Sequence, residues 1–277
     1  MNDSVLKTIG VAFVICLVSS LVVSFTAVSL RDLQNENATN NQSKKILQAA
    51  NLYNPDEDIK SQFEKLEQKF VDFSTGKIID TYNDFDINDY DQIAATRDSN
   101  LSTKLSSTED IAIIKNRENV GKFFIVRNED NSINKLILPI RGYGLWGTLF
   151  GYMAVEGDFN TVAGLEFYDH KETPGLGAEV DNPKWKNLWP GKKIYKDNEV
   201  TLAVIKGKTQ SDDVNADYKV DGLSGATLTA RGVTNMISYW FGRPFGRQRT
   251  STAWKVRAPA RRRGPLRRLL GGQTRSQ

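Results

Sequence analysis

The chain has 277 residues, of which 39% are hydrophobic, 10% aromatic and 25% charged. This composition is typical of a globular protein of one or two domains and excludes a wholly disordered or collagen-like chain. A single cysteine and a single histidine exclude a disulfide framework, a cysteine-ligated zinc site and a two-histidine metal site. Any redox or metal chemistry must therefore borrow its reactive group from elsewhere, and we predict neither catalytic residues nor metal ligands in this chain.

The net charge of +4 is unevenly distributed along the chain. Residues 243–277 contain ten Arg, one Lys and no acidic residue, which leaves a charge of −7 on residues 1–242. This acidic body argues against nucleic-acid binding. The abrupt change from Lys to Arg, Pro and Gly leads us to interpret residues 243–277 as a frameshifted or foreign end. A solvated or membrane-surface basic tail is the alternative, and in either case we expect a disordered segment outside the fold.

Residues 8–30 form an apolar segment without a charged side chain. As a helix this segment would span roughly 35 Å, enough for a hydrocarbon core of about 30 Å. A cleaved signal peptide is the alternative, but the segment is long, the residues before it are barely basic, and no small-residue cleavage site follows. We predict a retained transmembrane anchor with its flank over residues 1–34, in contact with membrane lipid. The flanking charges leave its orientation open.

Residues 35–76 are predicted to form a linker and an amphipathic helix. The stretch up to residue 54 is rich in Asn and Gln, which indicates a membrane-proximal linker that runs into a helix near residues 44–50. After residue 55, apolar residues recur at steps of four, three and four (Ile59, Phe63, Leu66, Phe70). This spacing predicts a helix that Gly76 is placed to end, and we interpret its apolar side chains as core packing.

Residues 77–242 are predicted to form the main domain. Strand patterns occur at residues 77–82, 121–127, 134–141, 148–155, 162–168 and 200–206. Turn residues at 128–132 and 196–198 indicate hairpins. Helices before and after antiparallel strands indicate an α+β fold. We expect a single N-terminal transmembrane helix followed by a mixed, mostly antiparallel sheet domain with flanking helices.

Residues 142–147 read Gly-Tyr-Gly-Leu-Trp-Gly and match the G-x-G-x-x-G pattern of dinucleotide sites. That site requires a helix directly after the glycines, whereas residues 148–155 have a strand pattern. We therefore predict a glycine-rich turn between strands that exposes Leu145 and Trp146 as a flat apolar face. A buried structural tryptophan is the alternative.

Residues 170–177 read His-Lys-Glu-Thr-Pro-Gly-Leu-Gly and follow a predicted strand. The Pro-Gly and Gly-x-Gly steps indicate an irregular loop. In this loop Glu172 and Thr173 offer polar contacts to a ligand, and Leu176 offers an apolar one. We interpret His170 as a hydrogen-bonded structural residue rather than a catalytic base.

Residues 221–229 read Asp-Gly-Leu-Ser-Gly-Ala-Thr-Leu-Thr and precede a helical segment at 230–241. Ser224, Gly225 and Ala226 are small, so a bulky anion can approach the main chain. A threonine at the helix start, Thr227 or Thr229, would lie near free N–H groups that favour phosphate. An ordinary N-cap threonine is the alternative.

The Ser-Gly-Ala-Thr sequence at 224–227 resembles the flavinylation motif of the covalent FMN-binding domain family. In that family FMN is joined by a phosphoester to the last threonine, which is Thr227 here. With the anchor, the 142–147 turn and the loop after His170, residues 1–242 resemble the C subunits of Na⁺-translocating NADH:quinone reductases. Residues 243–277 depart from that family, which puts any terminal contact with partner subunits in doubt.

The resemblance implies an electron carrier with covalent FMN, anchored in a bacterial inner membrane with its domain on the periplasmic side. It implies that other subunits oxidise NADH, that electrons pass towards ubiquinone while Na⁺ moves outward, and that an FMN transferase attaches the cofactor. Leu145, Trp146 and Leu176 would cover the isoalloxazine, and Glu172 and Thr173 would contact its polar edge. Ser224, Gly225 and Ala226 would lie beside the attachment site.

Two alternatives stay open: the G subunit of the related Rnf electron-transport complex, and a flavin-free anchored scaffold or binding module. The long segment at 35–119, before the flavin-related motifs, favours the C subunit over the Rnf subunit. A flavin that survives denaturation would exclude the scaffold.

Overall fold

The computed structural model describes residues 5–210 and 212–242, so the predicted tail at 243–277 lies outside the described residues. The helices are α1 (Val5–Ser29), α2 (Arg31–Ala49), α3 (Ile59–Phe63), α4 (Gln92–Ala95), α5 (Pro183–Lys186) and α6 (Thr227–Gly242), with 3₁₀ turns at Gly177–Asp181 and Ala216–Tyr218. The strands are β1 (Glu67–Asp72), β2 (Lys77–Ile79), β3 (Ser102–Lys104), β4 (Asn116–Glu118), β5 (Val120–Arg127), β6 (Ile133–Tyr143), β7 (Thr148–Glu156), β8 (Val162–Asp169), β9 (Tyr195–Lys196), β10 (Glu199–Val200), β11 (Ala203–Val204) and β12 (Lys219–Val220).

The central element is a six-stranded sheet in the order β2-β1-β5-β6-β7-β8, and all its neighbouring strands are antiparallel. Smaller pairs form between β3 and β4, between β9 and β10, and between β11 and β12. The last of these pairs is parallel. The α+β class predicted from the sequence, with a mostly antiparallel sheet, is therefore confirmed.

Helix α1 confirms the apolar helix predicted at the N-terminus. Its segment Lys7–Ser29 has a mean hydropathy of 2.5 and is not buried against the rest of the chain, so its length and composition suit a membrane crossing. Main-chain hydrogen bonds continue through Leu30, whose N–H donates to the Thr26 carbonyl and whose carbonyl accepts from Gln34. The helical path therefore runs on from α1 into α2.

The linker predicted before residue 44 is wrong, because α2 is helical from Arg31 onward. Asn is a weak helix former, but extending an existing helix avoids the cost of nucleation. The end of α2 is fixed to the sheet by buried apolar side chains, Ile46, Leu47 and Ala49. Lys135 Nζ also donates to the Ala50 carbonyl at 2.7 Å, which satisfies a carbonyl at the end of this helix.

The helix predicted up to residue 76 is also wrong beyond Phe63, because the chain continues as strand β1. This strand pairs with β5 over its whole length, and its successive residues Phe70 and Val71 pack into different clusters. A strand buried on both faces lacks the simple alternation that sequence patterns detect. The interpretation of the apolar residues as core is confirmed, since Leu66 and Phe70 are buried.

The predicted boundary between residues 76 and 77 falls in the hairpin between β1 and β2, and the division of the chain into domains stays a prediction.

The single strand predicted at 200–206 is wrong, because β10 pairs with β9 whereas β11 pairs with β12. Between them the chain turns back, and Thr201 and Leu202 both donate N–H bonds to the Ile194 carbonyl. The two predicted hairpin turns are confirmed, with positive φ at Asn131, Asp197 and Asn198.

Both faces of the sheet are covered. Along β7, Leu149, Met153 and Val155 pack into the larger cluster. That cluster also contains the apolar face of α6. Tyr152 and Ala154 point to the opposite face and pack with the end of α2. The alternation of side chains along β7 therefore separates two apolar layers.

Helix α6 lies directly on the end of β6. The Trp240 indole N–H donates to the Arg141 carbonyl at 2.7 Å. A side chain at Gly232 would place its Cβ 2.3 Å from the Tyr143 carbonyl oxygen, so glycine is required for this approach. The contact places α6 next to the turn that joins β6 and β7.

Candidate functional site

The turn at 144–147 joins two antiparallel strands, β6 and β7. The Gly144 N–H donates to the Gly147 carbonyl at 2.8 Å. The strand predicted after these glycines is confirmed, so the helix that a dinucleotide site requires does not follow them. Leu145 is 39% exposed and Trp146 is 63% exposed, so the predicted exposure of this pair is confirmed and a buried tryptophan is excluded.

Glu172 lies at the centre of the three sequence motifs. Its side chain is buried, and its Oε1 accepts the N–H groups of Leu145 and Trp146 at 2.9 and 3.0 Å. Its Oε2 accepts the Thr229 hydroxyl at 2.5 Å. The carboxylate therefore joins the 144–147 turn to α6, and its contact with the polar edge of a flavin stays a prediction.

The loop after β8 is held by His170, as the structural interpretation of this residue requires. The Glu172 N–H donates to His170 Nδ1 at 3.3 Å, which leaves Nε2 to donate to Asp181 at 2.9 Å. Beyond this anchor, Thr173 and Leu176 are exposed. They are free to contact a ligand that lies against the loop.

Of the two threonines that the sequence offers for the helix start, Thr227 rather than Thr229 is the first residue of α6, and its side chain is exposed. Ser224 and Gly225 are also exposed, whereas Ala226 is buried. Gly225 has φ +72°, a conformation that favours glycine, and a Cβ there would lie 2.9 Å from Leu176 Cδ2. The loop containing Leu176 therefore lies against the segment that leads to Thr227.

A small cavity of about 190 Å³ opens beside Thr227, between the first two turns of α6 and the segment after β11. Two of the described residues that line it are charged, Lys206 and Arg231, and both are cationic. The sequence motifs do not single out either residue. Arg231 is four residues after Thr227 and could have been found from helical spacing, whereas Lys206 is distant in sequence.

A larger cavity of about 830 Å³ lies between α2, α3 and the opposite face of the sheet. Its wall includes the stacked rings of Tyr152 and Tyr168 and the side chain of Lys122. Burial lowers the pKa of Lys122, whose Nζ donates to the Ile87 carbonyl. None of the site residues predicted from the sequence lines this cavity.

Residues 144–242 match the FMN-binding domain family. The match spans the 144–147 turn, the loop of Glu172 and the start of α6, so the fold and this site define an FMN-binding domain. The chain is also 44% identical over 247 residues to the C subunit of the Na(+)-translocating NADH-quinone reductase of Pseudomonas aeruginosa, covering 87% of this chain and 93% of that protein. Identity to the protein of the same name in Yersinia pestis is 39% over 246 residues, which cover 87% of this chain and 90% of that protein.

Two solved structures are similar in fold. NqrC of Shewanella oneidensis matches with a TM-score of 0.68 and 31% identity, over 78% of this chain and 100% of that one. The C subunit of the Na(+)-translocating NADH-quinone reductase of Parabacteroides distasonis matches with a TM-score of 0.58 and 28% identity, over 82% and 98% of the two chains. The chain belongs to the family of C subunits of Na⁺-translocating NADH-quinone reductases, and the resemblance drawn from its sequence motifs is confirmed.

Proposed function

We propose that this chain is the subunit of a Na⁺-translocating NADH:quinone reductase that relays electrons through FMN joined to Thr227 by a phosphoester. The observation that carries the proposal is the position of Thr227, exposed at the start of α6, in a segment whose neighbouring residue Thr229 is bonded to Glu172. Glu172 connects the sequence motifs, because it binds both the turn of Trp146 and the helix that begins at Thr227.

The residues around Thr227 fit a flavin. Leu145, Trp146 and Leu176 are large apolar side chains that are exposed although the core has buried most others of their type. They lie on two segments that are joined through Glu172, and exposed apolar side chains of this kind offer a binding surface to a flat apolar group. They would cover the isoalloxazine, and Thr173 would contact its polar edge.

Attachment is a phosphoryl transfer that a separate FMN transferase would catalyse with FAD and Mg²⁺. The Thr227 hydroxyl oxygen forms a bond to the phosphorus of the FMN half of FAD. The bond from that phosphorus to the oxygen of AMP breaks, AMP leaves, and the hydroxyl proton passes to a base. Because the Thr227 side chain is exposed, it is accessible to such an enzyme.

Bound FMN would supply the redox chemistry, and this chain would supply attachment, orientation and electrostatics. The residues of the site hold the cofactor in place and limit the access of water to it. Electron transfer needs no general acid or base, which agrees with the structural role of His170. A covalent bond also keeps the cofactor on the protein in a compartment that lacks a flavin pool.

The proposal also gives the chain a location in the cell and partner subunits. Helix α1 would anchor it in the bacterial inner membrane, in contact with lipid, and residues 31–242 would lie on the periplasmic side. Other subunits would oxidise NADH and reduce quinone, and the complex would couple these steps to Na⁺ export. Relatives named as C subunits, at 39–44% identity, favour this assignment over the Rnf G subunit.

Flavin fluorescence in denaturing gels tests the proposal. The full chain is co-expressed with an FMN transferase and compared with Thr227→Val and with Thr201→Val, an exposed threonine outside the site. We expect a fluorescent band for the wild type and Thr201→Val and none for Thr227→Val. Mass spectrometry of the Thr227 peptide should show the added FMN phosphoester.

Two results would contradict the proposal. A fluorescent Thr227→Val band would place the flavin elsewhere. A dark wild-type band, in cells where a known substrate of the transferase is fluorescent, would favour the flavin-free scaffold.

A further inference from the structure

We propose that Lys206 and Arg231 bind the phosphate group through which FMN is joined to Thr227. This inference rests on the proposed function and adds to it the residues that recognise the phosphate. It starts from the cavity of about 190 Å³ beside Thr227, which the sequence motifs do not predict.

The volume of the cavity suits the phosphate end of FMN rather than its ring. Pockets for drug-sized ligands have volumes of about 300–1,000 Å³, so this cavity is too small for an isoalloxazine ring. It suits the phosphate and the adjoining end of the ribityl chain. The exposed apolar residues Leu145, Trp146 and Leu176 lie outside its lining and are left for the ring.

One wall of the cavity is a single face of α6. Thr227, Ala230, Arg231 and Thr234 line it, and their spacing of three, four and seven residues after Thr227 is that of one helical face. The Arg231 side chain begins one turn after the attachment point. It can therefore reach a phosphate on the Thr227 oxygen without any change in the backbone.

The opposite wall is the chain that leaves β11. This strand is fixed to α6, because the Val204 N–H donates to the Thr234 hydroxyl at 3.0 Å. The chain after it is also fixed to β12 and to the segment that leads to the 224–227 motif, because the Ile205 N–H donates to the Val220 carbonyl at 2.9 Å and the Gly222 N–H donates to the Gly207 carbonyl at 2.7 Å. Lys206 therefore extends from a segment held on both sides.

The charge of the cavity suits a phosphodiester. Lys206 and Arg231 are cationic, and the described lining includes no acidic side chain. Within residues 5–210 and 212–242, neither side chain forms an ion pair. Two cations on facing walls, both without an acidic partner in that part of the chain, form a site for a phosphate group.

The test compares flavins with and without phosphate. The full-length chain, expressed without FMN transferase and purified in detergent, is titrated with FMN and with riboflavin, and binding is followed by flavin fluorescence. We expect FMN to bind the wild type roughly fivefold to tenfold more tightly than riboflavin at low salt. In the double variant Lys206→Gln/Arg231→Gln this preference should disappear, while riboflavin affinity stays unchanged.

Lys208→Gln is the matched control, because Lys208 is an exposed lysine two residues away that does not line the cavity. It should keep the preference for FMN. Three results would overturn the inference. The wild type could bind FMN and riboflavin with equal affinity, it could show no saturable FMN binding, or the preference for FMN could persist in the double variant. A chain that fails this test but is flavinylated at Thr227 in the gel assay would retain the proposed function.

Discussion

Thr229 donates its hydroxyl to Glu172 Oε2 at 2.5 Å, and both side chains are buried. The bond crosses from α6 to the loop after β8, two residues beyond the proposed attachment point. Since the other oxygen of Glu172 holds the turn of Leu145 and Trp146, one carboxylate sets the position of that turn relative to Thr227.

Replacing Glu172 with Gln should therefore weaken both contacts of this side chain, the one with the 144–147 turn and the one with α6. We expect a loss of about 1–3 kcal/mol in the free energy of unfolding, because the N–H groups of Leu145 and Trp146 lose a charged acceptor. The absorption spectrum of the bound flavin should change as well. Glu129→Gln, at an exposed position in a hairpin turn, is the control and should leave both unchanged.

A double-mutant cycle tests the contact with Thr229. Thr229→Val alone should cost about 1 kcal/mol or more, and the combined variant should lose less than the sum of the single losses. Strict additivity of the two losses would show that the Glu172–Thr229 bond does not couple the loop to the helix.

Trp146→Ala should change the emission of the bound flavin without changing the stability of the fold. Because Trp146 is exposed, we expect thermal unfolding of the flavin-free chain to change by less than about 0.5 kcal/mol. If the indole covers the isoalloxazine, the emission of the bound flavin should rise, since a neighbouring indole quenches it. Val214→Ala, at a strongly exposed apolar residue, should have no effect, and unchanged emission in Trp146→Ala would argue against the predicted contact.

The buried ion pair of Arg141 and Glu118 gives a prediction about the core. Arg141 contacts both carboxylate oxygens of Glu118, its guanidinium lies 5.2 Å from the centre of the Trp240 ring, and the negative charge of Glu118 helps to raise the pKa of Arg141 against burial. Removing one partner leaves a buried charge, so Glu118→Gln or Arg141→Met should each cost about 3–5 kcal/mol in chemical denaturation.

The double variant Glu118→Leu/Arg141→Met should recover part of that loss, because neither charge is then left unpaired. Lys65→Met breaks an exposed ion pair with Glu57 and should cost less than about 1 kcal/mol. A loss at Glu118→Gln as small as that of Lys65→Met would contradict the assignment of a tightly held pair.

Removal of residues 1–30 should convert the chain into a protein that needs no detergent. The apolar helix lost by this deletion does not pack on the domain, so the melting temperature of the remainder should be close to that of the full chain. Removal of residues 1–50 should lower it strongly, because it also deletes the buried Ile46 and Leu47, whose truncation costs about 2–5 kcal/mol each. Sedimentation at high speed and thermal unfolding measure the two effects, and equal melting temperatures for both deletions would contradict the role of α2.

The sequence predicts most accurately the elements whose partners are near in the chain. Strands β5 to β8 follow one another through short turns, and their apolar patterns place them close to their observed bounds. Small residues followed by a helical pattern predict a helix start at Thr227 or Thr229, and α6 begins at Thr227. The prediction for segment 64–72 is wrong, because the pairing of β1 with β5 is a tertiary interaction that overrides a helical spacing of apolar residues.

The site likewise combines features that local sequence predicts with features that depend on tertiary contacts. Exposure of Trp146 could be predicted from a local motif, but the internal contacts of Glu172 depend on three segments that meet only in the fold. Lys206 lies near Thr227 because two strands of two residues each, β11 and β12, pair in parallel. Such short strands leave no periodic pattern in a sequence, so this juxtaposition is visible only in three dimensions.

The continuous helical path from α1 into α2 has a geometric consequence for electron transfer. Helix α2 has 19 residues, about 28 Å of length at 1.5 Å per residue, and its last turn is fixed to the sheet. The length of a helix fixes both the distance between its ends and their relative rotation. Each inserted residue would turn the domain by about 100° around the helix axis. The number of residues between membrane and sheet therefore sets the direction in which Thr227 faces, and a cofactor attached there as proposed would be oriented by the anchor.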